Sequence, residues 1–150
     1  MNRRQAFTLS FGALALVAAP AFAASALPRV QVYRSPSCGC CGAWVKHLQA
    51  AGFQVRTEMV DDPGVIRRRH GLADRYASCH TAVVAGYAVE GHVPAADLKR
   101  LLALAPDAIG LAVPGMPVGS PGMEAGAQRD PYEVLVVDRS GRARVFASYR

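Results

Sequence analysis

The sequence predicts an α/β domain in which a central mixed sheet is flanked by helices. Short β-rich runs alternate with amphipathic helical segments, in the order βαβα followed by ββα. A second observation is that glycine and proline separate most of these segments, and these two residues are typical of the turns and loops that connect helices and strands. A loop rich in these two residues and a final β-hairpin then extend the domain at its C-terminal end.

The N-terminal segment has the pattern of a secretory signal peptide. Arg3 and Arg4 supply positive charge, residues 7–19 are uncharged and mostly apolar, and small residues surround Phe22. We expect residues 1–23 to be cleaved, with export to the periplasm by the Sec or the twin-arginine route. The roughly 127 residues that remain suit one domain, 24–150. No later run approaches the roughly 20 apolar residues of a membrane helix, so we expect no membrane span after cleavage.

The first half of the domain is predicted to contain two strands and two helices. A β-rich run ends at Ser35-Pro36-Ser37, and the apolar periodicity of Trp44, Val45 and Leu48 then indicates a helix that Gly52 closes. Asp62-Pro63 has the form of a helix start. The predicted elements are strand 29–34, helix 41–51, strand 53–57 and a short helix from 62 to about 70.

The second half is predicted to contain two hairpins and one helix. Gly86 suits a tight turn between strands 81–85 and 87–90, and Leu98, Leu101, Leu102 and Leu104 give helix 95–105 an apolar face. Residues 106–128 are rich in glycine and proline, which predicts a long ordered loop with one helical turn near 107–111. The final hairpin is predicted at 133–138 and 142–148.

The balance of charge argues against a nucleic-acid partner. The chain has 17 Lys+Arg against 11 Asp+Glu, a mild excess. Arg67-Arg68-Arg69 is the only basic run, and no aromatic residues interleave it. We interpret this run as a solvated helix face and expect no nucleic acid to bind.

Cysteine is concentrated at one point of the sequence. Cys38, Cys40 and Cys41 lie at the start of the first predicted helix, and Cys79 is the one other cysteine. Cys38 and Cys41 have the Cys-x-x-Cys spacing of a redox dithiol, whereas three clustered thiols suit a soft metal, with Cu(I) favoured over Zn(II). Because Cys40 and Cys41 are adjacent, bridging thiolates that share several Cu(I) ions are a further hypothesis. The structural alternative is two disulfides.

Histidine and methionine extend the set of candidate ligands. His47 follows the cluster on the same helix face, and the thioethers of Met116 and Met123 lie in the Gly/Pro loop, where they suit copper better than zinc. Alternation along a strand is expected to turn His80 away from Cys79. His92 has two open interpretations, support for the site or a structural role. The candidate metal ligands are Cys38, Cys40, Cys41, Cys79, His47, Met116 and Met123.

The order of elements resembles the thioredoxin fold, with Cys38 and Cys41 where that fold carries its redox pair. That fold usually places a cis-proline before its third strand, where this chain has Cys79-His80-Thr81, so the resemblance implies that Cys79 approaches the cluster from the opposite side. With Val89-Glu90-Gly91-His92-Val93-Pro94 and the segment 114–124, the chain resembles the CopG-like, DUF-type family of periplasmic metal-binding proteins associated with copper resistance. This resemblance implies a thioredoxin-like, copper-binding domain.

Three functions follow as hypotheses. The first is a periplasmic protein that contributes to copper resistance by binding Cu(I), with interconversion of Cu(I) and Cu(II), and thus copper oxidoreductase activity, left open. The second is a thiol-disulfide oxidoreductase with Cys38 as nucleophile and Cys41 as resolving thiol. The third is a copper chaperone that delivers metal to an exporter. Copper ions and periplasmic copper-handling proteins are the expected partners.

Overall fold

The computed structural model of the protein describes residues 26–150. The predicted signal peptide, residues 1–23, lies outside this range. Three α-helices, one 3-10 turn and seven strands follow in the order β1 (Val30–Arg34), α1 (Gly39–Ala50), β2 (Val55–Met59), α2 (Pro63–Arg69), the 3-10 turn (Asp74–Tyr76), β3 (His80–Val84), β4 (Tyr87–Glu90), α3 (Ala95–Leu104), β5 (Ala108–Ala112), β6 (Tyr132–Asp138) and β7 (Ala143–Tyr149).

All seven strands belong to one mixed sheet, in the order β2-β1-β3-β4-β5-β6-β7. β1 pairs in parallel with β2 and antiparallel with β3, while β4 pairs antiparallel with β3 and in parallel with β5. The predicted α/β class with a mixed central sheet and flanking helices is therefore confirmed. The narrower description, thioredoxin-like, depends on the order of β1 to α3 and stays a prediction.

Helix α1 is held against the sheet by its apolar face. Trp44 and Leu48 lie one turn apart and are fully buried in the main core, which also contains Val30 and Val32 of β1. The indole nitrogen of Trp44 donates a hydrogen bond to the Val93 carbonyl at 2.8 Å, so its polar atom is satisfied inside the core. The N-terminal end of α1 is thereby fixed in position relative to the loop before α3.

The helical turn predicted near 107–111 is wrong, because Ala108–Ala112 forms strand β5. All five residues are buried, and β5 lies between β4 and β6 inside the sheet. A strand that is covered on both faces has no alternation of polar and apolar residues, so the periodicity that identifies half-buried strands is missing here. The final hairpin pairs with β5 through β6, and so it continues the central sheet.

Within residues 26–150, none of the helices combines the length and the apolar character that a membrane crossing requires.

Candidate metal centre

Two chain segments bring the four cysteines together at one end of the neighbouring strands β1 and β3. Cys38 is the N-cap of α1, directly after the turn that follows β1, and Cys40 and Cys41 lie in the first turn of that helix. Cys79 immediately precedes β3, which pairs antiparallel with β1 so that Arg34 faces His80. The end of β1 and the start of β3 therefore lie side by side, and Cys79 meets the helix start.

The four sulfur atoms form a closed ring. The Sγ of Cys40 lies 3.6 Å from that of Cys38 and 3.8 Å from that of Cys79, and the Sγ of Cys41 lies 3.6 Å from that of Cys79. A disulfide between Cys38 and Cys41 completes the ring, while Cys40 and Cys79 are free thiols. The structure thus contains one disulfide, whereas the alternative to a metal site that the sequence left open was two disulfides.

Burial alters the acidity of the free thiol at Cys79. Loss of solvent, followed by the proximity of Cys40, raises the pKa of the Cys79 thiol to about 12. This sulfur is consequently protonated near neutral pH in the absence of a metal, and a metal ion that binds there displaces a proton.

Two histidines also lie within contact distance of Cys79. The Nδ1 of His80 lies 3.3 Å from Cys79 Sγ, and the Nε2 of His92 lies 3.1 Å from the same sulfur. The expectation that His80 points away from Cys79 is wrong, because Cys79 precedes β3 and is outside the regular alternation of that strand. Both imidazoles are fully buried, and burial lowers the pKa of His92 and lowers that of His80 to about 3.

The orientation of His92 is set by the methionine loop, which we define as residues 114–124. His92 Nδ1 donates a hydrogen bond to the Pro121 carbonyl at 2.8 Å. Since a carbonyl oxygen can only accept, the proton of the neutral imidazole is on Nδ1, and the lone pair of Nε2 faces Cys79. This is the arrangement in which a histidine is ready to bind a metal.

His47 has a different partner from the one that the sequence suggested. Its Nε2 accepts a hydrogen bond from the Ala95 backbone nitrogen at 3.0 Å, at the first residue of α3. Burial lowers the pKa of this imidazole, so it is a neutral acceptor near pH 7. His47 is absent from the groups of ligand atoms that converge within 4.8 Å among the described residues, and its role as a ligand stays a prediction.

The methionine loop lies over the helix start. At Gly122, which has a φ of +87°, an added Cβ would lie 2.7 Å from the Trp44 nitrogen and 3.1 Å from the Cys40 carbonyl oxygen. The loop is also tied to the segment before Cys79, because the Gly115 nitrogen donates to the Ala77 carbonyl at 2.9 Å. Met123 is partly buried and Met116 is 52% exposed. Their roles as ligands stay predictions.

A buried carboxylate fixes the segment that carries Cys79. Glu90 accepts hydrogen bonds from the Ser78 nitrogen at 2.7 Å and from the Thr81 hydroxyl at 2.6 Å, and it pairs with Arg67 at 3.3 Å. These bonds hold the residues on both sides of Cys79. The sequence alone indicates no role for Glu90, although this residue belongs to the segment 89–94 on which the family resemblance rests.

Comparisons with other proteins show a family and two solved structures to which the chain is similar. A family described as "Protein of unknown function, DUF411" matches residues 76–123, which include Cys79, His80, His92 and Met116. One solved structure, "Copper resistance protein copG- Form 2", is 48% identical, with 83% of this chain and 99% of that chain covered and a TM-score of 0.79. "Copper resistance protein copG- Form 1" is 49% identical, with 82% and 98% covered and a TM-score of 0.78. No curated protein matches the chain.

Proposed function

The chain belongs to the family of CopG copper resistance proteins, and from this premise we propose that it binds Cu(I) at the ring of Cys38, Cys40, Cys41 and Cys79. The observation that supports this proposal most strongly is the convergence of all four sulfur atoms within 4.8 Å of one another. Thiolates are soft ligands, which favour soft ions such as Cu(I) and also bind Zn(II). Binding of this kind would contribute to copper resistance by sequestering the ion.

The shape of the sulfur ring favours more than one Cu(I) per chain. Each sulfur has two sulfur neighbours, so once the Cys38–Cys41 disulfide is reduced every edge of the ring is a place where two thiolates can share an ion. Charge gives a second argument. Four thiolates around a single Cu(I) would leave a net charge of about −3 in a partly buried site, which is costly, whereas several Cu(I) ions would neutralise it.

Anaerobic titration of the fully reduced chain with Cu(I), in competition with a Cu(I) chelator, tests this proposal. We expect more than one Cu(I) per chain, and we expect Cys79→Ser to lower this number because it removes a sulfur shared by two edges of the ring. His70→Gln, at the C-terminal end of α2, is the control and should bind as the unaltered chain does. Failure of the reduced chain to bind Cu(I) would refute the proposal.

We also propose that the Cys38–Cys41 pair exchanges electrons with copper. The two thiolates lose two electrons and form one S–S bond, while two Cu(II) ions gain one electron each and become Cu(I). A dithiol reductant would restore the thiols. The disulfide of the present structure, with a Cα–Cα distance of 5.5 Å, supports this step because it is the oxidised product.

Cys38→Ser tests the redox step. The reduced wild-type chain should convert Cu(II) to Cu(I) at a rate at least about tenfold above that of Cys38→Ser, because the variant cannot form the 38–41 bond. Equal rates would contradict the step. The same disulfide also supports the alternative of a thiol-disulfide oxidoreductase, and reduction of insulin disulfides at the rate of a dithiol catalyst would favour that alternative.

The remaining proposals concern location and delivery. We propose that residues 1–23 are a cleaved signal peptide and that residues 24–150 form one domain in the periplasm, where copper-handling proteins, including an exporter, could receive the metal. The pattern of Arg3, Arg4 and the following apolar run supports this. N-terminal sequencing of the protein from a periplasmic fraction would test it, and an intact Met1 would contradict it.

A further inference from the structure

We infer that Cys79, His80 and His92 form a second metal position beside the sulfur ring, and that it takes a divalent ion of intermediate softness while Cys38 and Cys41 are disulfide-bonded. In the proposed function this ion is Cu(II). The inference rests on the proposed copper binding and deepens it, because it assigns the two oxidation states of copper to two neighbouring sets of ligands that share Cys79.

The three ligand atoms have nearly the separation that a metal ion requires. They lie within 4.8 Å of one another, and Cys79 Sγ is 3.1 Å from His92 Nε2 and 3.3 Å from His80 Nδ1. Around a tetrahedral ion with metal–sulfur bonds of about 2.3 Å and metal–nitrogen bonds of about 2.0 Å, sulfur and nitrogen are about 3.5 Å apart. A movement of a few tenths of an ångström would therefore admit the ion.

The surroundings of His92 prepare it for coordination. Its Nδ1–H is committed to the Pro121 carbonyl, so the lone pair of Nε2 is available toward Cys79. A backbone carbonyl that fixes the tautomer and the ring plane is the usual support of a metal-binding histidine. Through the Pro121 carbonyl, the methionine loop thus fixes the tautomer and the orientation of the His92 ring.

The side-chain polar contact of the buried His80 ring is with the Cys79 sulfur. Its exposed fraction is 0%, its Nδ1 faces Cys79 Sγ, and its Nε2 has no hydrogen-bond partner among the described residues. Buried polar groups normally have partners, so an imidazole whose polar contact is with a thiol suggests a role at that thiol. The ring is held by Trp44, whose centroid lies 4.3 Å away, and by His92 at 5.0 Å.

The two sets of ligands prefer different ions, and the redox state of Cys38 and Cys41 decides which set is available. The disulfide removes Cys38 and Cys41 as thiolates and leaves Cys79 free, with the free thiol of Cys40 3.8 Å from it. The Cys79 thiolate with two imidazoles, joined or not by Cys40, suits Cu(II) or Zn(II), while the reduced ring of four sulfurs suits Cu(I). Formation of the disulfide therefore changes the strongest available site from an all-sulfur set to a mixed sulfur–nitrogen set.

Anaerobic titration of the disulfide form of the full chain with Co(II), a redox-stable probe, tests the inference. We expect one Co(II) with a sulfur-to-cobalt charge-transfer band and the intense visible bands of a tetrahedral ion. X-ray absorption of this complex should show at least two nitrogen donors, together with the sulfur of Cys79 alone or of Cys79 and Cys40. Cu(II) should displace Co(II), since Cu(II) binds more tightly to such a donor set.

Substitutions then identify the ligands. His80→Gln and His92→Gln should each weaken Co(II) binding by about tenfold or more, whereas His70→Gln, the matched control, should leave it unchanged. Unchanged affinity in both site variants, or a Co(II) complex without sulfur, would overturn the inference. Should either variant fail to fold, the donor count from X-ray absorption of the wild-type complex decides.

The two proposals fail in different ways. If the reduced chain binds Cu(I) but the disulfide form binds no Co(II), the mixed position is refuted and the sulfur ring stands. If the reduced chain binds no Cu(I), the proposed function is refuted. In the reduced state, His80→Gln and His92→Gln should keep the wild-type number of Cu(I) ions, because the four sulfurs remain.

Discussion

Cys79 is the residue at which the two halves of the centre meet. Its sulfur contacts Cys40 and Cys41 of α1, and it also contacts His80 and His92. Because burial raises the pKa of this thiol, its metal affinity should grow as the pH rises and protons compete less. A substitution here should disturb every form of metal binding that we propose.

His80 should make the metal-free protein sensitive to acid. Burial lowers the pKa of His80 from its ordinary value of 6.5 to about 3, so the unfolded chain binds a proton over this range that the folded protein does not. Above pH 6.5 this histidine does not reduce the free energy of unfolding. As the pH falls from 6.5 toward 3, the free energy of unfolding declines, because only the unfolded chain takes up the proton. Each pKa unit corresponds to about 1.4 kcal/mol, so the loss amounts to several kcal/mol.

Urea unfolding at a series of pH values measures this dependence. We expect His80→Gln to flatten the decline in the free energy of unfolding between pH 6.5 and 3, since glutamine does not titrate. His70→Gln changes a histidine outside the cluster and should keep the wild-type decline. An equally steep decline in His80→Gln would show that burial of this imidazole is not the cause.

The positions of individual side chains were only partly predictable from the sequence. The three cysteines beside α1 follow from their spacing, and the approach of Cys79 follows from the resemblance to the thioredoxin fold. The inward direction of His80 could not be predicted by alternation, because Cys79 lies just outside β3. The role of Glu90 was also hidden, since its partners Ser78 and Arg67 are distant in sequence.

At the scale of elements, the centre depends on three pieces of chain: the start of α1, the start of β3 and the methionine loop. The loop contacts α1 at Gly122 and His92 at Pro121. It lies between β5 and β6 in the chain, and its N-terminal end follows closely on β5, a strand inside the sheet. Its position over the cluster therefore depends on β5, the strand that apolar periodicity could not identify.

Gly122→Ala should weaken Cu(I) binding because the loop can no longer lie against α1. The added Cβ would meet the Trp44 backbone nitrogen at 2.7 Å, a contact that requires the loop or the helix to move. We expect the affinity of the reduced chain for Cu(I) to fall roughly tenfold, which is about 1.4 kcal/mol, as measured by chelator competition.

Gly126→Ala is the matched control for this substitution. Gly126 also has a positive φ, of +58°, but an added Cβ would have no neighbour within 4 Å. Both variants place alanine at a residue with positive φ, where a side chain is strained, and only Gly122→Ala also brings the added Cβ against α1. Equal Cu(I) affinities of the two variants would show that contact between the loop and α1 does not support the site.

At the scale of the whole molecule, the mixed sheet explains why distant cysteines converge. The antiparallel pairing of β1 with β3 places the residues after Arg34 beside those before His80. The predicted order of elements was sufficient to expect a mixed sheet, but it did not include β5 and so could not give the seven-stranded order. That order became visible only from the pairing of β5 with β4 and β6.

Membership of the CopG family connects this architecture with copper resistance. The similarity covers 83% of the chain, and so includes far more than the cysteine motif. The central claim is that the reduced sulfur ring binds several Cu(I) ions through shared thiolates, as its closed geometry suggests.

X-ray absorption of the fully reduced chain, loaded anaerobically with Cu(I) to saturation, tests this claim most directly. The account predicts that copper is surrounded mainly by sulfur, that copper–copper scattering is present, and that elemental analysis gives more than one copper per chain. A single copper per chain, with no copper–copper scattering and a first shell dominated by nitrogen or oxygen, would contradict it.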